Sequence, residues 1–430
     1  MIGILGIIVG LGLLMFLAFK GMSIIWIAPL SAGIVALTGG LDLLDAYTVD
    51  YMGGFVGFAR SWFPVFMLGA IFGKVMDDSG AARSVAHWII KRIGTKQAIL
   101  AVVLGCAVLT YGGVSLFVVV FAMYPLAVAL FREANLSRKL IPGAIALGAF
   151  TFTMTAIPGT PQIQNLIPMN YYGTTPTAAP FMGIAGALIM LVVGMLWMKH
   201  SEKKRTAAGE VYEELPNATP DVDVDALPNP LVSFLPLLAV ILLLNVFNLD
   251  IIIALLAGIL LALAVNWTRL DNKVKTVNAG AAGSVLAIIN TSAAVGFGAV
   301  VRAVPGFTTL SDLVMGIDGN PLISQALAVN VLAGATGSAS GGLGIALEAL
   351  GEQYMQLATA TGISPEAFHR VASIASGGLD TLPHNGAVLT LLAVTAMTHK
   401  DSYKDIFMVG SVIPVLAVIV AIVMASIGLV

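Results

Sequence analysis

Long apolar runs separated by short polar breaks recur along almost the whole chain. Runs at or near the ~20 helical residues needed to cross a ~30 Å hydrocarbon core occupy residues 2–19, 24–37, 179–198, 231–246, 251–265 and 409–429. The ~10-residue alternating segments of a transmembrane barrel do not appear, so the runs predict helices. No basic residue precedes the first run and no small-residue cleavage site ends it, while Lys20 follows it. A retained span is expected there, not a signal peptide. Composition agrees: 430 residues, 58% hydrophobic and 10% charged, against roughly 25% charged in soluble domains. The expected class is an all-α polytopic membrane protein.

The pattern also repeats. TAIPGT (155–160) matches DTLPHN (380–385), with their prolines 225 residues apart. YGGVS (111–115) matches SGGLG (340–344) at 229 residues, and MLGAIFGKV from Met67 matches AVGFGAVVR from Ala294 at 227. The polar segment 199–230, with four prolines and dense charge, reads as a solvated cytoplasmic linker joining halves 1–198 and 231–430.

Charge assigns the sides. Residues 74–96 hold Lys74, Arg83, Lys91, Arg92 and Lys96, whereas the matching stretch 300–322 holds Arg302 with Asp312 and Asp318. Basic loops stay cytoplasmic, so the two loops are expected on opposite faces and the repeats in inverted topology. Residues 97–131 are basic at both ends, enter from the cytoplasm and return, with YGGVS at the tip. Residues 322–361 lie between Asp318 and Glu366, enter from outside, and carry ATGSASGG (335–342) at theirs. Irregular backbone at membrane depth survives only around protein or a water-filled cavity. A Gly/Ser tip therefore marks a polar cavity.

After each hairpin comes a helix interrupted at its centre, GAFTFTMTAIPGTPQIQN in the first half and SIASGGLDTLPHNGAVL in the second. Proline removes a donor and clashes with the preceding turn. Paired interrupted segments in two halves point to a transporter's binding site, where half-helix N-termini suit an anion. The expected plan for each half is three scaffold helices, a re-entrant hairpin, a broken helix and a closing helix.

These tips and breaks resemble those of the ion-transporter superfamily, most closely the gluconate:proton symporter (GntP) family, whose members carry gluconate, related sugar acids and small hydroxy acids such as β-hydroxybutyrate. Where the gluconate branch has a His-Val-Asn-Asp-Ser-Gly-type stretch, this chain reads Pro383-His384-Asn385-Gly386, which points toward the β-hydroxybutyrate-type branch. The sodium-site Ser-Asn-Thr tips of related dicarboxylate symporters do not occur, so the coupling ion is expected to be H+, with Na+ as the alternative. The resemblance implies scaffold parts at 1–96 and 231–318, moving transport parts at 97–198 and 319–430 with elevator-type alternating access, and a homodimer.

Asp380 and His384 flank the second break four residues apart. Ionisable residues inside a membrane default to functional sites, and an imidazole near its ordinary pKa of ~6.5 exchanges protons at physiological pH. They are the candidate proton carriers; the bland reading is a helix cap and a hydrogen bond to a freed carbonyl. Ser338, Ser340, Gly341 and Gly342, with Tyr111, Gly112, Gly113 and Ser115, are candidates for carboxylate and hydroxyl binding, against the reading that the glycines serve packing. Thr155, Gly159, Thr160, Gln162, Asn165, Thr381 and Asn385 at the breaks complete the set. Glu348 and Glu352 are expected to face water at the outer mouth, and Arg302 and Arg132 to snorkel. Cys106 excludes an intrachain disulfide, no metal or cofactor site is read, and no basic patch suggests nucleic acid.

The inferred function is import of a small organic monocarboxylate across a bacterial inner membrane, because hydroxyls, amides and helix ends with no evident arginine clamp suit one negative charge. A sodium-coupled citrate-like symporter, an anion channel and an intramembrane hydrolase are the alternatives. The hydrolase fails at Ser338-Ala339-Ser340-Gly341, where the Gly-x-Ser-Gly nucleophile motif has serine in place of its first glycine.

Overall fold

A computed structural model describes residues 2–214, 223–309, 319–383 and 385–430, and among them every regular element is helical. Five described helices are long and apolar enough to cross a membrane: Leu43–Asp78, Leu116–Glu133, Pro180–Ala207, Lys273–Ala303 and His399–Ser426. Shorter apolar helices accompany them.

Helix starts follow from local chemistry. Asn229-Pro230, Asn320-Pro321 and Ser364-Pro365 each place a capping side chain on a backbone N–H two residues on, with proline at the first helical position. Proline there sacrifices only a donor that has no intrahelical partner.

Ile2–Phe19 (α1), Ile24–Gly39 (α2) and Leu43–Asp78 (α3) open the chain. Ala81–Ile93 (α4) is a short amphipathic helix. Ala98–Tyr111 (α5) and Leu116–Glu133 (α6) form a hairpin. Ile141–Ala149 (α7), Phe152–Thr155 (α8) and Ile163–Tyr172 (α9) make a broken helix, and Pro180–Ala207 (α10) closes the half.

The second half repeats this order. Pro230–Asn245 (α11), Ile251–Val265 (α12) and Lys273–Ala303 (α13) are followed by a hairpin of Pro321–Thr336 (α14) and Ala339–Thr361 (α15). Pro365–Ser376 (α16) and Gly386–Thr395 (α17) flank the second break, and His399–Ser426 (α18) closes.

The centre is the antiparallel crossing of α3 and α13. Glycine makes it possible: a Cβ on Gly54 would lie 2.6 Å from Ala299 Cβ, and one on Gly280 would lie 2.7 Å from Ile71 Cα. Backbones approach this closely in membranes only over small residues. Tyr51 Oη donates to Ala293 O at 3.1 Å across the same crossing. Within each half the hairpin's first helix packs on the helix before the break, α5 on α7 and α14 on α16, and the closing helices α10 and α18 pack together.

Two expectations are corrected. The segment 199–230 is not wholly a linker: α10 runs on to Ala207, because residues 199–207 hold no glycine or proline and Lys204 and Arg205 in the last turn favour the helix C-terminus. Described residues on either side of 215–222 are also pinned. Glu210 meets Arg205 and Lys139, Glu214 meets Arg132, and Pro228 O accepts from Ser84 Oγ at 2.5 Å.

Candidate functional site

Each hairpin tip is tied to the break of its own half. In the first half Tyr111 Oη donates to Pro158 O at 3.0 Å, and Gln162 Nε2 donates to Thr110 O at 2.7 Å and Val114 O at 3.4 Å. In the second, Asn385 Nδ2 donates to Gly337 O at 2.9 Å while Asn385 Oδ1 caps α17 through Ala387 N and Val388 N. The breaks themselves meet: Ser373 Oγ donates to Thr155 O at 2.7 Å, and Gly377 leaves room for the Thr155 methyl.

The two reversals correspond, but not where the paired glycines suggest. Val114 N bonds Leu109 O and Ser338 N bonds Ala333 O, closing turns whose left-handed residues are Gly113 (φ 94°) and Gly337 (φ 59°). Ser340, Gly341 and Gly342 instead form the first turn of α15, with Ser338 Oγ capping Gly341 N at 3.1 Å. Gly342 serves the hairpin's own contact, since a Cβ there would fall 2.0 Å from Ala333 N. Gly112 likewise faces Leu237 of α11, 2.6 Å from where a Cβ would stand. Ser115 starts α6 without a side-chain capping bond.

Most break residues spend their polar atoms on one another. Thr155 Oγ1 donates to Thr151 O and Thr160 Oγ1 to Thr153 O. Gly159 O accepts from Asn245 Nδ2 at 2.9 Å. Thr381 Oγ1 lies 2.7 Å from Ser411 Oγ. Several groups retain unspent capacity, Gln164 Oε1 and Asn245 Oδ1 at the first break among them. Asp380 is 6% exposed, and its Oδ1 has no hydrogen-bond partner among the described residues. Asn330 Oδ1, against Gly378 two residues before it, and Thr110 Oγ1 at the first tip are in the same condition. A buried polar atom without a partner costs about 1–3 kcal/mol, so the fold retains Asp380 at a cost. His384 lies outside the described residues.

The residue missed in the sequence is Arg370. It is 0% exposed in α16 and reaches across to the first half: Nη1 donates to Asn165 Oδ1 at 2.8 Å, Nε and Nη2 donate to Ala178 O at 3.1 and 2.6 Å, and Nη2 reaches Pro176 O at 3.4 Å. Neighbouring His369 lies 2.6 Å from Thr174 Oγ1 and 3.2 Å from Asn165 Oδ1, and Glu366 Oε2 accepts from Ala179 N. Carbonyls thus occupy the guanidinium's donors, but no carboxylate lies within ion-pair distance among the described residues. The expectation is of no evident arginine clamp, and a buried arginine does stand beside the break. The signal lay in EAFHRVASIAS, where Glu366, His369 and Arg370 at i, i+3 and i+4 share one face of an otherwise apolar helix.

Two further expectations change. Glu348 does not simply face water: Arg302 Nη2 lies 3.3 Å from Oε1, and Tyr171 Oη donates to Oε2 at 3.2 Å. Arg302 is accordingly a partner of Glu348. Arg132 pairs with Glu214 at 3.1 Å.

Apolar spanning helices, two hairpins and two interrupted helices cross-braced at buried polar residues define a polytopic membrane transporter. The chain matches the model of the GntP family permease over residues 2–427 and belongs to that family. It is 45% identical over 444 residues to the uncharacterized transporter YxjC of Bacillus subtilis (strain 168), covering 93% of this chain and 94% of that one. It is 31% identical over 180 residues to the high-affinity gluconate transporter of Escherichia coli (strain K12), covering 40% of this chain and 38% of that one. In fold it is similar to the YdaH transporter of Alcanivorax borkumensis, with a TM-score of 0.59, 17% identity and 90% of each chain covered. The protein is a permease, not an enzyme, and a multi-pass inner-membrane protein.

Proposed function

We propose that the chain imports a small hydroxy- or sugar-acid monoanion, in the class of gluconate and β-hydroxybutyrate, together with a proton. The observation that carries the charge of the substrate is Arg370, a fully buried cation beside the crossing of the two breaks, with neighbouring carbonyls, Glu366 four residues earlier on the same face, and no carboxylate at ion-pair distance among the described residues. Carbonyl dipoles satisfy its donors without cancelling its charge, and one monoanion would. Asp380, buried with an oxygen that has no partner among the described residues, is the proposed proton carrier, with His384 as its expected companion. Thr110, Ser115, Ser338 and Ser340 offer hydroxyls at the two tips. The partnered residues Gln162, Asn385, Thr155 and Thr160 hold tips and breaks in place, and any contact they make with substrate exchanges a bond they already have.

The recurrence of one element order in both halves supports reading them as inverted repeats, with the hairpins and broken helices moving against α1–α3 and α11–α13 as an elevator. The match to a gluconate transporter over part of its length supports the substrate class. Competition among labelled gluconate, glycerate, β-hydroxybutyrate and citrate in proteoliposomes tests the reading. Uptake of at least one monocarboxylate, with citrate a poor competitor, is expected. Preference for citrate, or uptake that needs a sodium gradient, would overturn it.

A further inference from the structure

A cavity of about 500 Å³ opens between α3, α13, the end of α9 and the exit helix of the second hairpin, α15. That volume lies within the ~300–1,000 Å³ of small-molecule sites. Its space comes from sequence. Gly53 and Gly57 line it, and a Cβ on either would meet nothing within 4 Å. They are not needed for helix contact, unlike Gly54 between them, which is pressed against Ala299 of α13. The glycines thus leave a groove along α3 while the helix stays locked to the centre of the scaffold.

The charges lining this groove are Asp50, Arg302 and Glu348. Arg302 extends from α13, half-exposed, to Glu348 on α15, donating also toward Glu348 O at 3.4 Å. Tyr171 holds the other carboxylate oxygen from the end of α9, and its ring is seated on Gly351. A single cation, with exposed Asn170 and the Ser61 hydroxyl, which donates to Gly57 O, also on the lining, presents what a hydroxy acid requires: a guanidinium for the carboxylate, with an amide donor and a hydroxyl acceptor for its hydroxyls. Two acids against one base keep the lining net negative, so a free anion enters only by taking the guanidinium from Glu348.

We propose that this cavity is the outer docking site of the carried hydroxy acid, where the substrate carboxylate displaces Glu348 from Arg302. The proposal rests on the transport reading above. Arg302 lies on α13 and Glu348 on α15, so the exchange would also loosen a tie between the central crossing and the second hairpin as substrate arrives.

The opposite charges of the pair give the test its sign. In right-side-out membrane vesicles containing the full chain, Arg302→Gln is expected to raise the KM for uptake of labelled gluconate, glycerate or β-hydroxybutyrate about tenfold, the loss of one charge-assisted contact. Glu348→Gln removes the competitor and lowers that KM, Asp50→Asn lowers it less, and Arg302→Lys stays near wild type. The KM for efflux from the inner face is unchanged in all four. If Arg302→Gln and Glu348→Gln raise KM alike, the pair only braces the fold and the proposal is overturned. An unchanged uptake KM in Arg302→Gln, or loss of pH-dependent uptake in Glu348→Gln, overturns it as well. Should Arg302→Gln fail to insert, a raised KM in Glu348→Gln decides against it and a lowered KM in favour. A wild type that carries none of the three acids overturns the transport reading itself, and this inference with it.

Discussion

The two interrupted helices share a sequence pattern but not a chemical state. At the first break, between α8 and α9, the side chains of Thr160, Gln162 and Asn165 all find acceptors and Gly159 is held by Asn245, while Gln164 Oε1 and Asn245 Oδ1 have no partner among the described residues. At the second, between α16 and α17, Asp380 and adjacent Asn330 keep oxygens without partners among the described residues, while Asn385 is fully used as a cap. A satisfied polar network rigidifies, and an unsatisfied one is retained where function needs it. Both breaks keep unpartnered amide oxygens among the described residues, and the second adds the carboxylate of Asp380, the proposed proton carrier.

The largest expected effect breaks this contrast at its active end. Asp380→Asn should lower uptake driven by a pH gradient about a hundredfold, the scale on which removing a proton-transferring group acts, while counterflow of labelled substrate persists. Asn165→Asp tests the cation: it preserves the acceptor for Arg370 and supplies a carboxylate, but loses the Nδ2 donor to Thr160 O and Pro176 O. Uptake KM should rise about tenfold, the cost of one lost charge-assisted contact. Asn165→Ala, which removes the same donor and one of the acceptors of Arg370 without adding a charge, should lower the melting temperature in detergent but raise KM less.

How much of this was legible in the sequence depends on how far apart the interacting residues lie. Proline beside glycine or asparagine located both breaks, because a chain that loses a donor and meets a clash cannot continue a helix, and the apolar runs located the spans. The paired glycines placed the second reversal five residues late, because glycine in a turn and glycine under a neighbouring backbone look alike: Gly337 turns the chain and Gly342 admits Ala333. Arg370 was hidden for a different reason. Its acceptors, Asn165, Pro176 and Ala178, lie about 200 residues earlier, and nothing local announces them.

Packing predictions sharpen the same distinction. Gly342→Ala meets backbone and should destabilise by about 1–3 kcal/mol or more. Gly112→Ala meets the movable end of Leu237 and should cost less, both read as melting temperatures. Gln162→Ala removes the side-chain donor that ties the first tip to the break through Thr110 O and Val114 O and should cost about 1 kcal/mol, with Asp380-dependent coupling intact.

The smallest effect lies outside the membrane. Partial burial works to raise the Glu210 carboxyl pKa, but hydrogen bonds from Arg205, Lys139 and Ser137 bring it below the ordinary glutamate value. A depressed folded pKa gives stabilisation that is present above the ordinary value and lost as pH falls through the lowered one. A spin label at Glu213→Cys should therefore stay immobile at neutral pH and gain mobility only in acid below the usual glutamate range.

The central claim is that a proton travels with the acid, and counting protons tests it most directly. In proteoliposomes loaded with a pH-sensitive dye, adding gluconate or β-hydroxybutyrate outside should acidify the lumen as label accumulates, and Asp380→Asn should abolish the acidification. Label accumulating in the wild type with no change in internal pH would contradict the account.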